Sequence, residues 1–163
     1  MKFLLFLLFF LVATLMSEDL KVKANKFSSD EKSGISIFVG DVNVVKGADE
    51  LNASKVTIYT NKEHKPTKFM AEGHASFRIV TEEGALYRGR AQKVVYYPIE
   101  KEYHFFKDVY LQQIDENKEI SGDEVVLKSI EGTAYAKGAA KEPVIMIYTM
   151  PEKEEKEKKE EKK

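Results

Sequence analysis

An all-β fold is predicted for this 163-residue chain on three grounds: apolar and polar residues alternate in pairs along most of it, turn residues punctuate that alternation, and no sustained helical period appears in the central body. Val42 and Val44 alternate with Asp41 and Asn43, Val56 and Ile58 with Lys55 and Thr57, and Phe77 and Ile79 with Ser76 and Arg78. The same period recurs at Val94 and Tyr96, at Val109 and Leu111, and at Val125 and Leu127. A period of two with one polar side is the pattern of a sheet that is wet on one face and apolar on the other. Breaks are expected at Lys46-Gly47, Thr60-Asn61, Glu82-Glu83-Gly84, Asp115-Glu116-Asn117 and Lys137-Gly138.

Both ends of the chain differ from this body. Met1-Lys2 is a short positive start, Phe3 to Met16 is almost wholly apolar, and Ser17 precedes the acidic pair Glu18-Asp19. That order describes a secretory signal peptide over residues 1–17, with cleavage expected after Ser17. The apolar run falls short of the roughly 20 residues a membrane-spanning helix needs, although an uncleaved anchor is the alternative. At the other end, residues 152–163 are Glu and Lys alone, six of each. Such a stretch has no apolar surface to bury and is expected to be a disordered, solvated tail. One β-domain over residues 18–151 lies between.

Composition excludes several classes. Lys and Arg number 26 against 27 Asp and Glu, so no basic excess exists to bind nucleic acid. The chain has no Cys, which removes disulfides and thiolate metal sites. His64, His74 and His104 form no metal-binding pair, and no nucleophile elbow, phosphate loop or dinucleotide fingerprint is present. His104 and Asp108 lack a nucleophile to complete a triad. The expectation is a non-enzymatic protein with no catalytic residues, no metal and no cofactor.

A weak internal repeat adds organisation. A small residue, two polar residues and an apolar residue recur at Ala24-Asn25-Lys26-Phe27, Ala53-Ser54-Lys55-Val56, Ala91-Gln92-Lys93-Val94 and Gly122-Asp123-Glu124-Val125, each expected to open a strand. A second element precedes the last three: Phe38 to Val42, Glu72 to Ala75, and Phe106 to Val109. Stacked hairpin units, each unable to bury its apolar face alone, account for such a period. The small residue suits a place where two backbones approach closely.

These residues also carry a likeness. Phe38, Gly40, Asp41, Val42, Val44, Gly47, Leu51, Ala53 and Val56, followed by Ile120-Ser121-Gly122-Asp123 and Glu142-Pro143-Val144-Ile145, resemble the LptA/OstA-like family of lipopolysaccharide-transport proteins over about residues 20–148. Asp41 stands where the family often has Asn, and His74-Ala75 where it has Asn-Val. The resemblance implies a half-open β-jelly roll of two splayed antiparallel sheets, a periplasmic location, and a bridge that carries lipopolysaccharide from inner to outer membrane. It also implies LptC-like inner-membrane and LptD-like outer-membrane partners. The alternatives are a structural or adaptor β-domain that binds proteins by strand addition, and a membrane-anchored LptC-like partner.

Under that reading the acyl chains of lipid A lie against Val42, Val44, Val56, Ile58, Phe77, Ile79, Val94, Tyr96, Val109, Leu111, Val125 and Leu127. Each methylene kept from water contributes about 0.8 kcal/mol, so a carrier needs a continuous apolar trough. Arg88, Arg90 and Lys93 are candidates for phosphate contact, since Arg can bind phosphate with two parallel hydrogen bonds. Edge strands at Leu20 to Phe27 and Val144 to Met150 are expected to pair head to tail into homo-oligomers. Asn52-Ala53-Ser54 is an N-glycosylation acceptor triplet, with Glu50 two residues before it.

Overall fold

A computed structural model describes residues 18–150, so the expected signal peptide and charged tail lie outside the described residues. Ten strands form a single antiparallel sheet: β1 (Leu20–Lys23), β2 (Lys26–Asp30), β3 (Ile35–Lys46), β4 (Asp49–Thr60), β5 (Pro66–Val80), β6 (Leu86–Tyr97), β7 (Glu102–Gln113), β8 (Lys118–Lys128), β9 (Thr133–Lys137) and β10 (Ile145–Tyr148). Consecutive hairpins from β3 to β8 build the body. Both β1 and β2 pair with β3 at one edge, and both β9 and β10 pair with β8 at the other. All described regular structure is β, as the two-residue period predicts.

Six long strands of 11 to 15 residues would give a tall, flat sheet if nothing bent them. Each is bent in its middle. The register of β3 on β4 jumps between Val39 and Val42, of β5 on β6 between Glu72 and Ala75, and of β7 on β8 between Phe106 and Val109. At each jump two left-handed residues oppose one on the partner: Gly40-Asp41, Gly73-His74 and Lys107-Asp108, all at positive φ. An extra residue on one strand of an antiparallel pair bends that strand and sharpens its twist. Three bulges in line crease the whole sheet, and its two halves become the two layers of a jelly roll.

One layer contains β2, β9 and the strand segments paired with them; the other contains β1, β10 and the remaining segments. Both belong to one continuous hydrogen-bonded ladder. The crease also explains the repeat. Ala53-Ser54-Lys55-Val56, Ala91-Gln92-Lys93-Val94 and Gly122-Asp123-Glu124-Val125 open no strands; they are the midpoints of β4, β6 and β8. Their two polar residues shift the inward positions by one, so that Ala53 and Val56, three apart, both point into the core. Along the inside of the crease run Val42, Ala53, Ala75, Ala91 and Val109, all at most 8 % exposed. Small side chains there let the layers converge.

Three turns escaped the sequence reading. β2 and β3 are joined through Glu31 to Gly34, β6 and β7 through Pro98 to Lys101, and β8 and β9 through Ser129 to Gly132. The expected first edge strand is interrupted at Ala24-Asn25, where Asn25 N–H donates to Gly40 O at 2.9 Å. That break continues the crease to the edge of the sheet.

Candidate functional site: the interior between the two layers

The inner faces meet over one apolar cluster. Of the twelve predicted inward residues, ten are buried, while Val44 and Tyr96 are half-buried and pack against the same cluster. The structure therefore brings all twelve together. It adds residues the sequence reading left out: Phe105, fully buried, with Tyr103, Phe69, Leu51 and Ile120. Their signal was present, because Tyr103 and Phe105 have the same two-residue period as Val109 and Leu111 further along β7.

Aromatic side chains join the layers. Phe77 of one layer stacks on Phe105 of the other with ring centroids 4.4 Å apart, a preferred aromatic separation. Gly89 makes this fit, since a Cβ there would stand 2.8 Å from the Phe77 ring and closer still to the Tyr110 carbonyl. Tyr96 and Tyr103 stack at 4.3 Å beside them.

Toward the β1 edge the layers part. A narrow cleft of about 70 Å³ opens between them, walled almost wholly by apolar groups that include Val44, Leu51, Val56, Phe69, Phe77 and Tyr96. This is space for a few methylenes; a second opening of about 170 Å³ lies at the other end, between Ala134 of β9 and Met146 of β10, over Leu111 and Ile120. Outside the cleft lies a polar recess of about 410 Å³, lined by Lys46, Glu82, Lys101 and Ser129 among others. Lys46, Asp49, Tyr96 and Tyr103 line both spaces and form the wall between them.

That wall is held by hydrogen bonds. The Tyr103 hydroxyl donates to Asp49 Oδ2 at 2.8 Å, and Val80 N–H donates to Asp49 Oδ1 at 2.8 Å. Burial, reinforced by the Asp49 carboxylate and by Tyr96, pushes the Tyr103 hydroxyl well above the ordinary tyrosine range. It stays protonated as the donor. Lys101, in the β6–β7 turn of one layer, pairs with Glu82, in the β5–β6 turn of the other.

The remaining predicted residues sit on the outer face. Arg88 and Arg90 point away from the interior, as does Lys93 beyond the crease. The Arg90 guanidinium lies 5.0 Å from the Tyr110 ring centroid, and Lys93 Nζ is 5.9 Å from that of Phe106. The cations that line the cleft are instead Lys46 and Arg78, and Lys101 lines the recess outside it. Asn52 is exposed on the outer face in the middle of β4, and its Oδ1 accepts a hydrogen bond from Asn43 Nδ2 at 2.9 Å. A glycan on it would stand clear of the interior. Among the described residues no cluster of His, Asp or Glu is arranged to hold a metal ion.

At the β8 edge, β10 presents Ile145, Met146, Ile147 and Tyr148, each at least 44 % exposed. Phe27 of β2, at the opposite edge, is 63 % exposed and packs at a tilt against Phe38, with ring centroids 4.9 Å apart. Both ends of the sheet are thus unpaired on their outer side among the described residues, the β10 end apolar and the β1–β2 end mixed, with Lys21, Lys23, Lys26 and Asp30 beside Phe27.

Comparison with known proteins agrees with this architecture. The crystal structure of LptH, the LptA-homologous periplasmic component of the lipopolysaccharide transport device of Pseudomonas aeruginosa, superimposes with a TM-score of 0.72. Identity is 16 %, over 82 % of this chain and 96 % of that one, so the likeness is one of fold. No curated protein matches in sequence. The sequence profile of the LptA/(LptD N-terminal domain) lipopolysaccharide transport proteins matches residues 21–133. That span runs from β1 to the start of β9 and includes the crease and the cleft. The chain belongs to the LptA/LptD N-terminal domain family of lipopolysaccharide transport proteins.

Proposed function

We propose that this protein is a periplasmic carrier, not an enzyme, that shelters the acyl chains of lipopolysaccharide between its two layers while the lipid moves from inner to outer membrane. The observation that carries the reading is the apolar cleft between creased half-sheets, lined by Leu20, Val44 and Leu51 toward the β1 edge. Hydrocarbon gains about 25 cal/mol for each Å² removed from water, and the cleft wall offers it apolar contact. The chain starts as a precursor whose residues 1–17 are removed on export, and residues 18–151 act as the carrier domain.

The open edges support head-to-tail assembly. The β1 and β2 edge of one copy can add to the β9 and β10 edge of the next, and to edges of the same kind on LptC-like and LptD-like partners. Unpaired backbone groups at a sheet edge are a template for such strand addition.

The test is a photoreactive residue placed at Phe77, with a second at Arg90 on the outer face as control. Lipopolysaccharide adducts from position 77 and none from position 90 are expected in cells of a lipopolysaccharide-producing host. A second reading, an adaptor domain with a filled core, has one observation in its favour: the cleft is only about 70 Å³. Absence of adducts from position 77 and from a further probe at Ile58 selects that reading.

A further inference from the structure

A cleft of about 70 Å³ takes no whole acyl chain. A carrier with this interior must part its layers to load, and something must hold them together when it is empty. Two cross-layer polar contacts stand at that place. Asp49, at the β3–β4 turn, accepts from Tyr103 of β7, and Glu82 accepts from Lys101. In each pair the partners come from opposite layers and lie more than 15 residues apart in sequence. Asp49 and Tyr103 also form the wall between the apolar cleft and the polar recess outside it.

We infer that the Asp49–Tyr103 hydrogen bond and the Lys101–Glu82 ion pair form a latch across the mouth of the cleft, which must open before an acyl chain can pass between the layers. The inference rests on the lipid-carrier reading above. Its hinge is the crease, where the ladder is already interrupted by three bulges. Hinge motions draw on a few residues that absorb backbone rotation, and here those are the left-handed pairs Gly40-Asp41, Gly73-His74 and Lys107-Asp108. The latch groups suit this task. Lys101 and Glu82 are each nearly half exposed, so water can take over their hydrogen bonds when the layers part. Asp49 keeps its bond from Val80 N–H on its own layer, so opening leaves its carboxylate partnered. A ligand that binds only the open form binds more weakly by the fraction of molecules that are open.

The test clamps the latch. Because the chain has no Cys, a Glu82→Cys/Lys101→Cys variant carries two unique thiols, which a short propane-bridged bis-thiosulfonate can join and a reductant can release. Binding of fluorescently labelled rough-form lipopolysaccharide to the full chain is followed by anisotropy, with circular dichroism as the check on folding. The clamped protein is expected to bind at least about tenfold more weakly than the same protein after reduction. Equal binding by clamped and released protein overturns the latch and leaves the carrier reading standing. No binding by either, nor by the unaltered chain, overturns the carrier reading and the latch with it. Tyr103→Phe supplies an independent arm that keeps the ring and removes one hydrogen bond to the Asp49 carboxylate. Association at least about tenfold faster is expected, and an unchanged rate counts against the latch.

Discussion

Lys107 occupies the place that glycine holds in the two neighbouring bends. Gly40 and Gly73 both have φ of 85°, and a Cβ on either would press within 3 Å of Asn25 or Ser54. Lys107, at φ 62°, carries a Cβ in the left-handed region, which costs about 1–2 kcal/mol. Glycine would relieve that strain and lose about 0.5–1 kcal/mol to the greater freedom of the unfolded chain. Lys107→Gly is therefore expected to raise stability by up to about 1 kcal/mol. Gly73→Ala, facing both strain and the Ser54 side chain, is expected to lower it by at least about 1 kcal/mol. Urea titrations of the two variants check both signs. That the three sites are equivalent was legible in the sequence as a repeat; that they are bends within strands was not, because the break in alternation looks the same at a strand start.

Among the elements, β10 combines exposure with poor protection. Edge strands are usually blunted by charge, bulges or proline, yet Ile145, Met146, Ile147 and Tyr148 are four exposed apolar residues in a row. The strand pairs with Lys118 to Ser121 of β8 on one side only. If it serves as a docking edge, a single charge should block assembly and leave the fold intact. Ile147→Lys is expected to hold the protein monomeric in light scattering at concentrations where the unaltered chain gains mass. A monomer at every concentration before mutation refutes edge assembly. Sequence periodicity located this strand to within two residues at each end, since Pro143 and the apolar run after it bound its length. It also placed β1 and β2 in one segment, and missed the break at Asn25 because a kink at an edge has no partner strand to declare it.

Across the whole molecule, stability depends on contacts between the layers. Phe105 is fully buried and stacks on Phe77 from the opposite layer. Phe105→Ala removes that stack and leaves a cavity beside Phe77, a change expected to cost about 3–5 kcal/mol. Chemical denaturation reads it directly, and a loss below about 1 kcal/mol would mean that the layers do not depend on this contact.

Alternation along the chain was enough to establish an all-β body, the inward set from Val42 to Leu127 and the spacing of the crease, because the side-chain direction of a strand is a local property that repeats every second residue. The reach of one layer toward the other is not local. It is decided by pairs such as Phe77 with Phe105 and Asp49 with Tyr103, 28 and 54 residues apart, and by the absence of a side chain at Gly89. No period encodes those meetings. Hence the width of the cleft and its closure at the mouth emerge only once the crease has brought the two halves of the sheet face to face.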